Sequence, residues 1–368
     1  MIMFRQYHFK DYHFTLILWV TLLSILGILV IGSAQSSSQQ RQIIGLILGV
    51  AVMLFLSLID YQWLLRFSWF YYLGGIGLLA AVLLIGENVN GATRWIRIGI
   101  QFQPSDLMKL IMIMFFASFF SHFQDQLNTW KIILFSVLLI AVPLLLIVKE
   151  PDLSTTIVTA LTFCAIIFTA GLSFKVIGAI LLITVPMVII FMSLIMNPNQ
   201  TIIPSYQLLR ILAWLRPNEY PDQAYQQQNS IIAIGSGQLY GKGLNNNMVS
   251  SVKGGNFIAE PQTDFIFAVA GEELGFLGCC VIIILELLIA IECIRIGRRA
   301  RDMAGTLFCC GLGALIMFQS MLNICVATGL LPNTGIPLPF VSYGSTSLIT
   351  LCAGIGIALN IGLQSKKY

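Results

Sequence analysis

Apolar residues run along this chain in blocks of about 20, separated by short polar turns, and the blocks recur over almost its whole length. A helix needs about 20 apolar residues to cross a hydrocarbon layer roughly 30 Å thick. The pattern therefore predicts an all-α, polytopic membrane protein with about ten transmembrane helices. Their expected extents are about 14–32, 42–60, 70–86, 105–121, 131–148, 153–170, 174–195, 264–294, 304–328 and 344–363. The first run follows Arg5 and Lys10 and, at about 19 residues, exceeds the roughly 7–15 of a signal peptide's apolar core, so it is expected to remain as an uncleaved helix. The spans make one transmembrane domain over 1–368, and only the loop at about 196–263 is large enough to form a substructure.

Basic residues orient the spans. With the N-terminus inside, the inner segments hold Arg5, Lys10, Arg66, Lys131, Lys175, Arg295, Arg298, Arg299, Arg301, Lys366 and Lys367, while the short outer loops hold only Arg41, Arg94, Arg97 and Lys149. That asymmetry places both termini in the cytoplasm and the large loop outside.

Composition agrees: 57% hydrophobic and 10% charged residues exclude a water-soluble globule, for which roughly 25% charged is ordinary. The net charge of +4 reflects topology and gives no reason to expect nucleic acid binding. All eight cysteines lie in apolar runs without CxxC spacing, and the three histidines are scattered, so neither a thiol–imidazole metal cluster nor a nucleophile–histidine pair is expected.

Carboxylates carry the chemical information, because an ionisable group in a membrane is costly and normally faces a cavity or a partner. Four groups fall toward the outer side. In GATRWIRIGIQFQPSDLMKL, Gly91 to Leu110, Ser105 is expected to cap a helix. Asp106 and Lys109, spaced i, i+3, read either as a self-neutralising ion pair or, with Arg94 and Arg97, as an anion site at a helix N-terminus. Trp95 reads as an interface anchor. In KEPDLSTT, Lys149 to Thr156, Asp152 either caps the following helix or binds a cation or a sugar hydroxyl. In PQTDFIFAVAGEELGFLG, Pro261 to Gly278, one continuous helix would turn Glu272 about 80° and Glu273 about 180° from Asp264, so one face cannot serve all three. Glu272 and Glu273 are expected to be structural, and Asp264, at the water boundary, is suited to act as a base. The fourth group is GLLPNTGIPLPFVSYGSTS, Gly329 to Ser347. Its prolines, glycines and hydroxyls, Ser342 among them, imply irregular backbone lining a cavity.

The motifs GATRWI, QPSDLMKL, EPDLSTT, YQQQNSIIAIGSGQLYGKGL, QTDFIFAVAGEELGFLG and LPNTGIPLPFVSYG, in this order, resemble those of the shape, elongation, division and sporulation family, which includes RodA and FtsW. The resemblance implies ten spans with cytoplasmic termini. It also implies a peptidoglycan glycosyltransferase that polymerises lipid II outside the cytoplasmic membrane, beside a class B penicillin-binding protein and other elongation-complex membrane proteins. Asp264 falls on the family's essential aspartate, and Asp152, Trp95 and Lys109 fall on its PDL, RWI and QPS motif positions. Departures are Asp106 for glutamate, Gln262 for histidine, and Gln238 and Ser345 for glycines.

On this reading Asp264 deprotonates the GlcNAc 4-hydroxyl, and the α-linked diphosphate leaves with inversion to a β-1,4 bond. Arg94, Arg97, Lys109, Arg210 and a divalent cation, Mg²⁺ or Mn²⁺, are available to neutralise the diphosphate. Arg210 sits in SYQLLRILAWLRP, an amphipathic segment that could equally meet lipid headgroups. Short tails and the GKGL sequence favour an elongation-type role over a division-type one. A flippase or other transporter, and a non-catalytic scaffold, are the competing classes; acids clustered on one side and the lack of a detectable repeat argue against a transporter.

Overall fold

A computed structural model of the chain describes residues 12–89, 92–98, 100–174, 176, 178, 182, 205–245 and 257–364. In chain order the helices are α1 (Phe14–Ala34), α2 (Ser36–Ser57), α3 (Tyr61–Arg66), α4 (Ser68–Ile85), α5 (Pro104–His122), α6 (Trp130–Lys149), α7 (Leu153–Thr169), α8 (Ser205–Leu215), α9 (Pro221–Ser236), α10 (Ile266–Arg298), α11 (Met303–Ala327) and α12 (Ser345–Leu363). Eight of them, α1, α2, α4, α5, α6, α10, α11 and α12, are long and apolar enough to cross a membrane. The sixth expected span is α7, an apolar helix of 17 residues. The seventh, 174–195, lies outside the described residues except at 174, 176, 178 and 182.

Helix α5 runs through the middle of the bundle. Phe115, Phe116 and Phe120 are fully buried on it, packed among rings from α4 and α7. Helices α2 and α12 approach closely because small residues face each other. A Cβ on Gly49 would lie 3.0 Å from Cys352 Sγ, and one on Gly356 would lie 2.5 Å from the Met53 carbonyl oxygen. Backbones that near gain dispersion contacts, which drive helix association where lipid removes the hydrophobic incentive.

Three sequence expectations need correction. Helix α2 starts at Ser36 rather than near 42, because one side of its polar first turns, Ser38 and Gln42, faces protein. Gln42 is buried, donating from Nε2 to the Ser342 carbonyl (3.2 Å) and accepting from the Gly344 N–H at Oε1 (3.1 Å). The outer stretch after α4 is not a plain loop but an antiparallel meander of β1 (Glu87–Val89), β2 (Ala92–Ile98) and β3 (Ile100–Phe102), with Glu87 opposite Trp95 and Ile96 opposite Phe102. The alternating ATRWIRI sequence suits such a pleat, with Ile96 turned inward and buried.

The third correction concerns α10, which is broken at Gly275 (φ 68°, ψ −166°). In an unbroken helix the Phe276 and Leu277 N–H groups would bond to the carbonyls of Glu272 and Glu273. Instead they donate to the carbonyls of Gln238 (2.8 Å) and Leu239 (3.2 Å). The carbonyls of Glu272 and Glu273 accept from Lys242 N–H and Gly243 N–H, both at 2.9 Å. The segment after α9 is thereby spliced into the helix, and these four groups all find new partners. Lys242 Nζ, 2.7 Å from Glu272 Oε1, adds an ion pair at the splice, and Glu273 accepts from Ser33 Oγ of α1. Asp264 lies in the turn before α10, so helical angles do not relate it to the two glutamates.

Such contact requires residues without side chains. A Cβ on Gly275 would stand 2.3 Å from the Gly241 nitrogen, at a φ that disfavours any L side chain. We expect Gly275→Ala to destabilise the protein by at least about 2 kcal/mol, whereas Gly74→Ala, at a helical glycine with nothing within 4 Å of the new methyl, leaves stability unchanged or slightly raised. Thermal unfolding of the detergent-solubilised variants measures the difference.

Candidate active site at the outer helix termini

Six chain segments converge at the expected outer ends of the spans: β2, the start of α5, the turn before α7, α8, the turn before α10 and the loop before α12. Helix α5 begins at Pro104, with Gln103 as its N-cap in extended conformation. Ser105 is therefore inside the first turn rather than the cap, since a proline, with φ preset and no N–H to lose, suits the first helical position. Gln103 Nε2 instead donates to Ser105 Oγ (3.0 Å) and to Asp152 Oδ2 (3.2 Å). Asp152 is the N-cap of α7. Its Oδ1 accepts from the Thr155 N–H (3.1 Å) and its Oδ2 from Thr155 Oγ1 (2.9 Å). Arg94 Nη1 lies 3.9 Å from Oδ1.

Arg94 extends from β2 and braces the turn before α7. Its Nε donates to the Glu150 carbonyl (3.3 Å), and its Nη2 donates to the Pro151 carbonyl. Trp95 beside it is half-buried. Arg97 pairs with Gln101 in the β2–β3 ladder, but its side chain lies outside the described residues.

Asp264 is partly exposed, and charges from three other segments and from its own turn act on it. Burial, opposed by Arg210 and Arg94 and reinforced by Asp152 and Glu260, raises its carboxyl to about 6. Arg210 projects from the exposed side of α8, one turn from Trp214, whose Nε1–H bonds to the Gly329 carbonyl (2.8 Å). Helix α8 is thus docked on the loop before α12 and brings a cation toward Asp264. On the opposite side, a Cβ on Gly335 (φ +71°) would come 3.1 Å from Asp264 Oδ2.

The remaining predicted residues are committed to internal partners. Lys109 Nζ, buried, pairs with Asp106 Oδ1 at 2.7 Å and donates to Gln319 Oε1 at 3.0 Å. This pair lines a small cavity with Ser347 and Thr350. Ser342 Oγ donates to the Thr263 carbonyl and accepts from the Leu338 N–H, both at 2.7 Å, which ties the loop before α12 to the turn bearing Asp264. Glu272 and Glu273 lie at the α10 break, away from this convergence.

Sequence reasoning passed over Glu150. It is fully buried, and neither carboxyl oxygen has a hydrogen-bond partner. Burial first, then the Asp152 charge, against the pull of Arg94, raises it to about 8. It passed over Gln319 and Asn323 as well, although two amides one turn apart in an apolar span were a visible sign of a polar face. No group of three or more His, Cys, Asp or Glu able to hold a metal ion forms among the described residues.

Apolar helices whose termini carry converging charges around irregular backbone define a polytopic membrane protein with a polar site at the membrane boundary. The chain belongs to the FtsW/RodA/SpoVE family of cell cycle proteins, whose family model matches residues 8–367. It is 33% identical over 373 residues to the probable peptidoglycan glycosyltransferase FtsW of Geobacter sulfurreducens, a match covering 97% of this chain and 96% of that one. Over 339 residues it is 35% identical to the corresponding protein of Nitrosomonas europaea, covering 89% and 83%. A chain from a solved peptidoglycan synthase complex that coordinates polymerization and crosslinking matches with TM-score 0.78 and 27% identity, covering 95% of this chain and 97% of that one. The rod shape determining protein RodA of Thermus thermophilus matches with TM-score 0.70 and 25% identity, covering 97% and 98%.

The neutral state of Glu150 has a measurable sign. A carboxyl raised from 4.5 to about 8 favours the fold most below its unfolded value, and that contribution is lost as pH rises through the folded value. Glu150→Gln should therefore unfold at the same temperature as wild type near pH 5 and at a higher temperature near pH 9. Thermal melts across that range check it.

Proposed function

We propose that the chain polymerises lipid II into β-1,4 glycan, with Asp264 as general base. The observation that carries this reading is a carboxyl at about 6 flanked by two arginines, at the boundary where a lipid-linked sugar would present its headgroup. Near neutral pH such a group is mostly ionised yet keeps more basicity than an ordinary aspartate. It takes the proton of the acceptor's GlcNAc 4-hydroxyl. The freed oxygen attacks the anomeric carbon of the donor, the C1–O bond to the diphosphate breaks, and the polyprenyl diphosphate leaves. One displacement inverts the α-linkage to β without a covalent enzyme intermediate.

Arg94 and Arg210 supply positive charge for the departing diphosphate, and Asp152 orients Arg94. Trp95, next to Arg94 in sequence but on the opposite face of β2, is assigned to the sugar on sequence grounds alone. Lys109 and Asp106, held by Gln319, shape the inner wall. We place Arg97 with the diphosphate-binding cations on sequence grounds alone. A divalent cation would be held chiefly by the diphosphate oxygens and would add positive charge there, while Asp152, with both oxygens engaged, and Asp264, the base, keep their own roles.

The site would face outward in the bacterial cytoplasmic membrane, as the basic residues imply. The proposed partner is a class B penicillin-binding protein, which the solved synthase complex supports, together with other membrane proteins of the elongation machinery. A role in elongation is the finer proposal and rests on the GKGL sequence.

The test is polymerisation of labelled lipid II by the purified chain, with and without its penicillin-binding partner and with and without EDTA. Asp264→Asn should lower the rate about 10²- to 10⁴-fold while the variant still folds and binds its partner. Wild-type activity should fall on the acid side with a midpoint near pH 6, because protonated Asp264 cannot accept the hydroxyl proton. An Asp264→Asn variant as fast as wild type would rule out the assigned base.

A further inference from the structure

Two amides on one face of α11 join the site's separate parts. Asn323 and Gln319 are one turn apart, and both are about 1% exposed. Asn323 Nδ2 donates to the Asp264 carbonyl at 2.9 Å and to the Ile336 carbonyl at 2.6 Å. Gln319 Oε1 accepts from Lys109 Nζ at 3.0 Å, and its Nε2 donates to the Pro337 carbonyl at 2.9 Å. Chemistry fixes both amide orientations: carbonyls only accept and an ammonium only donates, so flipping either amide would set like against like.

The carbonyls they hold, Ile336 and Pro337, are consecutive, and the preceding residue is Gly335, where an added Cβ would come 3.1 Å from Asp264 Oδ2. Asn323 therefore closes a ring. From its amide one arm reaches the backbone of Asp264, and the other reaches the Ile336 carbonyl and, through the chain, Gly335 and the Asp264 side chain.

We infer that Asn323 is a positioning residue that sets the direction of the Asp264 carboxylate, and that Gln319 registers the Lys109–Asp106 pair to it through the same stretch of loop. Neither amide touches substrate; each acts through the residue it holds. The inference rests on Asp264 being the base. The groups acting on that carboxylate are Arg94 from β2, Arg210 from α8, Asp152 from the α7 cap and Glu260 from its own turn. Release of the Asn323 clamp changes its distance to all four.

The experiment measures glycan polymerisation by the full-length chain on lipid II from about pH 4.5 to about pH 8. It compares wild type with Asn323→Ala, Asn323→Ser, Gln319→Ala and the Asn323→Ala/Gln319→Ala double variant, and uses Asp264→Asn as reference. A displaced base loses alignment, and misplacement by about 1 Å costs up to about 100-fold. Asn323→Ala should lower kcat about 10- to 100-fold with KM within about twofold, and it should move the acid midpoint by at least about half a pH unit. Asn323→Ser, able to keep one of the two hydrogen bonds, should fall between, and it serves as the readout if the alanine variant does not fold. Because both amides act through one loop, the double variant should be little slower than the slower single variant.

If Asp264→Asn is inactive but the Asn323 variants keep the wild-type kcat and acid midpoint, the positioning role is wrong and the base assignment stands. If the two alanine effects multiply, the shared-loop coupling is wrong. An active Asp264→Asn variant overturns the base assignment and this inference with it.

Discussion

Everything in this structure depends on satisfying backbone polar groups where water is scarce. A continuous helix does so by itself, but a continuous helix cannot bend backbone around a substrate. The chain departs from regular helix at the Gly275 break and again over 329–344. At Gly275 the segment after α9 supplies two carbonyls and two N–H groups to replace the pairs that the break destroys. In the second region the partners are side-chain amides: Gln42 from α2, Gln227 from α9, and Gln319 and Asn323 from α11. Gln42 and Gln319 both donate and accept, and Gln227 and Asn323 each donate twice from one amide nitrogen, so one residue can serve two stretches of chain. That is why glutamine and asparagine, costly elsewhere in a membrane, are buried here.

Charge follows the same rule. Lys109 is matched by Asp106 and Lys242 by Glu272, each at 2.7 Å. Pairs this close lower the cost of burying either ion, although they are weak evidence of net stabilisation. The convergence around Asp264 differs, since two arginines, Arg94 and Arg210, and three carboxylates, Asp264, Asp152 and Glu260, act on one another there, and Arg94 is 3.9 Å from Asp152. Glu150, buried and neutral near pH 7, adds no charge to that set.

The spans were legible in the sequence because lipid leaves one pattern to read, long apolar runs, and most observed helix ends fall within a few residues of those expected. The exceptions share a cause. The start of α2 was cut short because Ser38 and Gln42 look like solvent-facing residues, and only the packed neighbour reveals that they face protein. The strand period in ATRWIRI was present but too short to outweigh its setting between helices. The Gly275 break could not be seen, since GEELGFLG fits a continuous helix and the replacement partners come from a segment more than thirty residues earlier. For the site, residue type identified Asp152 and Asp264, whose carboxylates are out of place in apolar surroundings. Which partner each would meet was not visible. Gly335 bears no side chain to announce its contact with Asp264, and Asn323 acts through a backbone carbonyl.

On the proposed reading, the same two arginines influence both halves of the reaction. In the free site Arg94 and Arg210 lower the Asp264 carboxyl against the effect of burial. A donor diphosphate would neutralise them, removing the interactions that hold the carboxyl down, and its own negative charge would raise it further. Binding of the donor therefore strengthens the base that acts on the acceptor. The opposing requirement is that Asp264 still be ionised at neutral pH, and a starting value near 6 leaves only about one unit of room before the base is half protonated. A fully buried aspartate without arginines would begin too high. One paired closely with a single arginine would begin too low to accept the hydroxyl proton efficiently. Burial opposed by two cations meets both requirements.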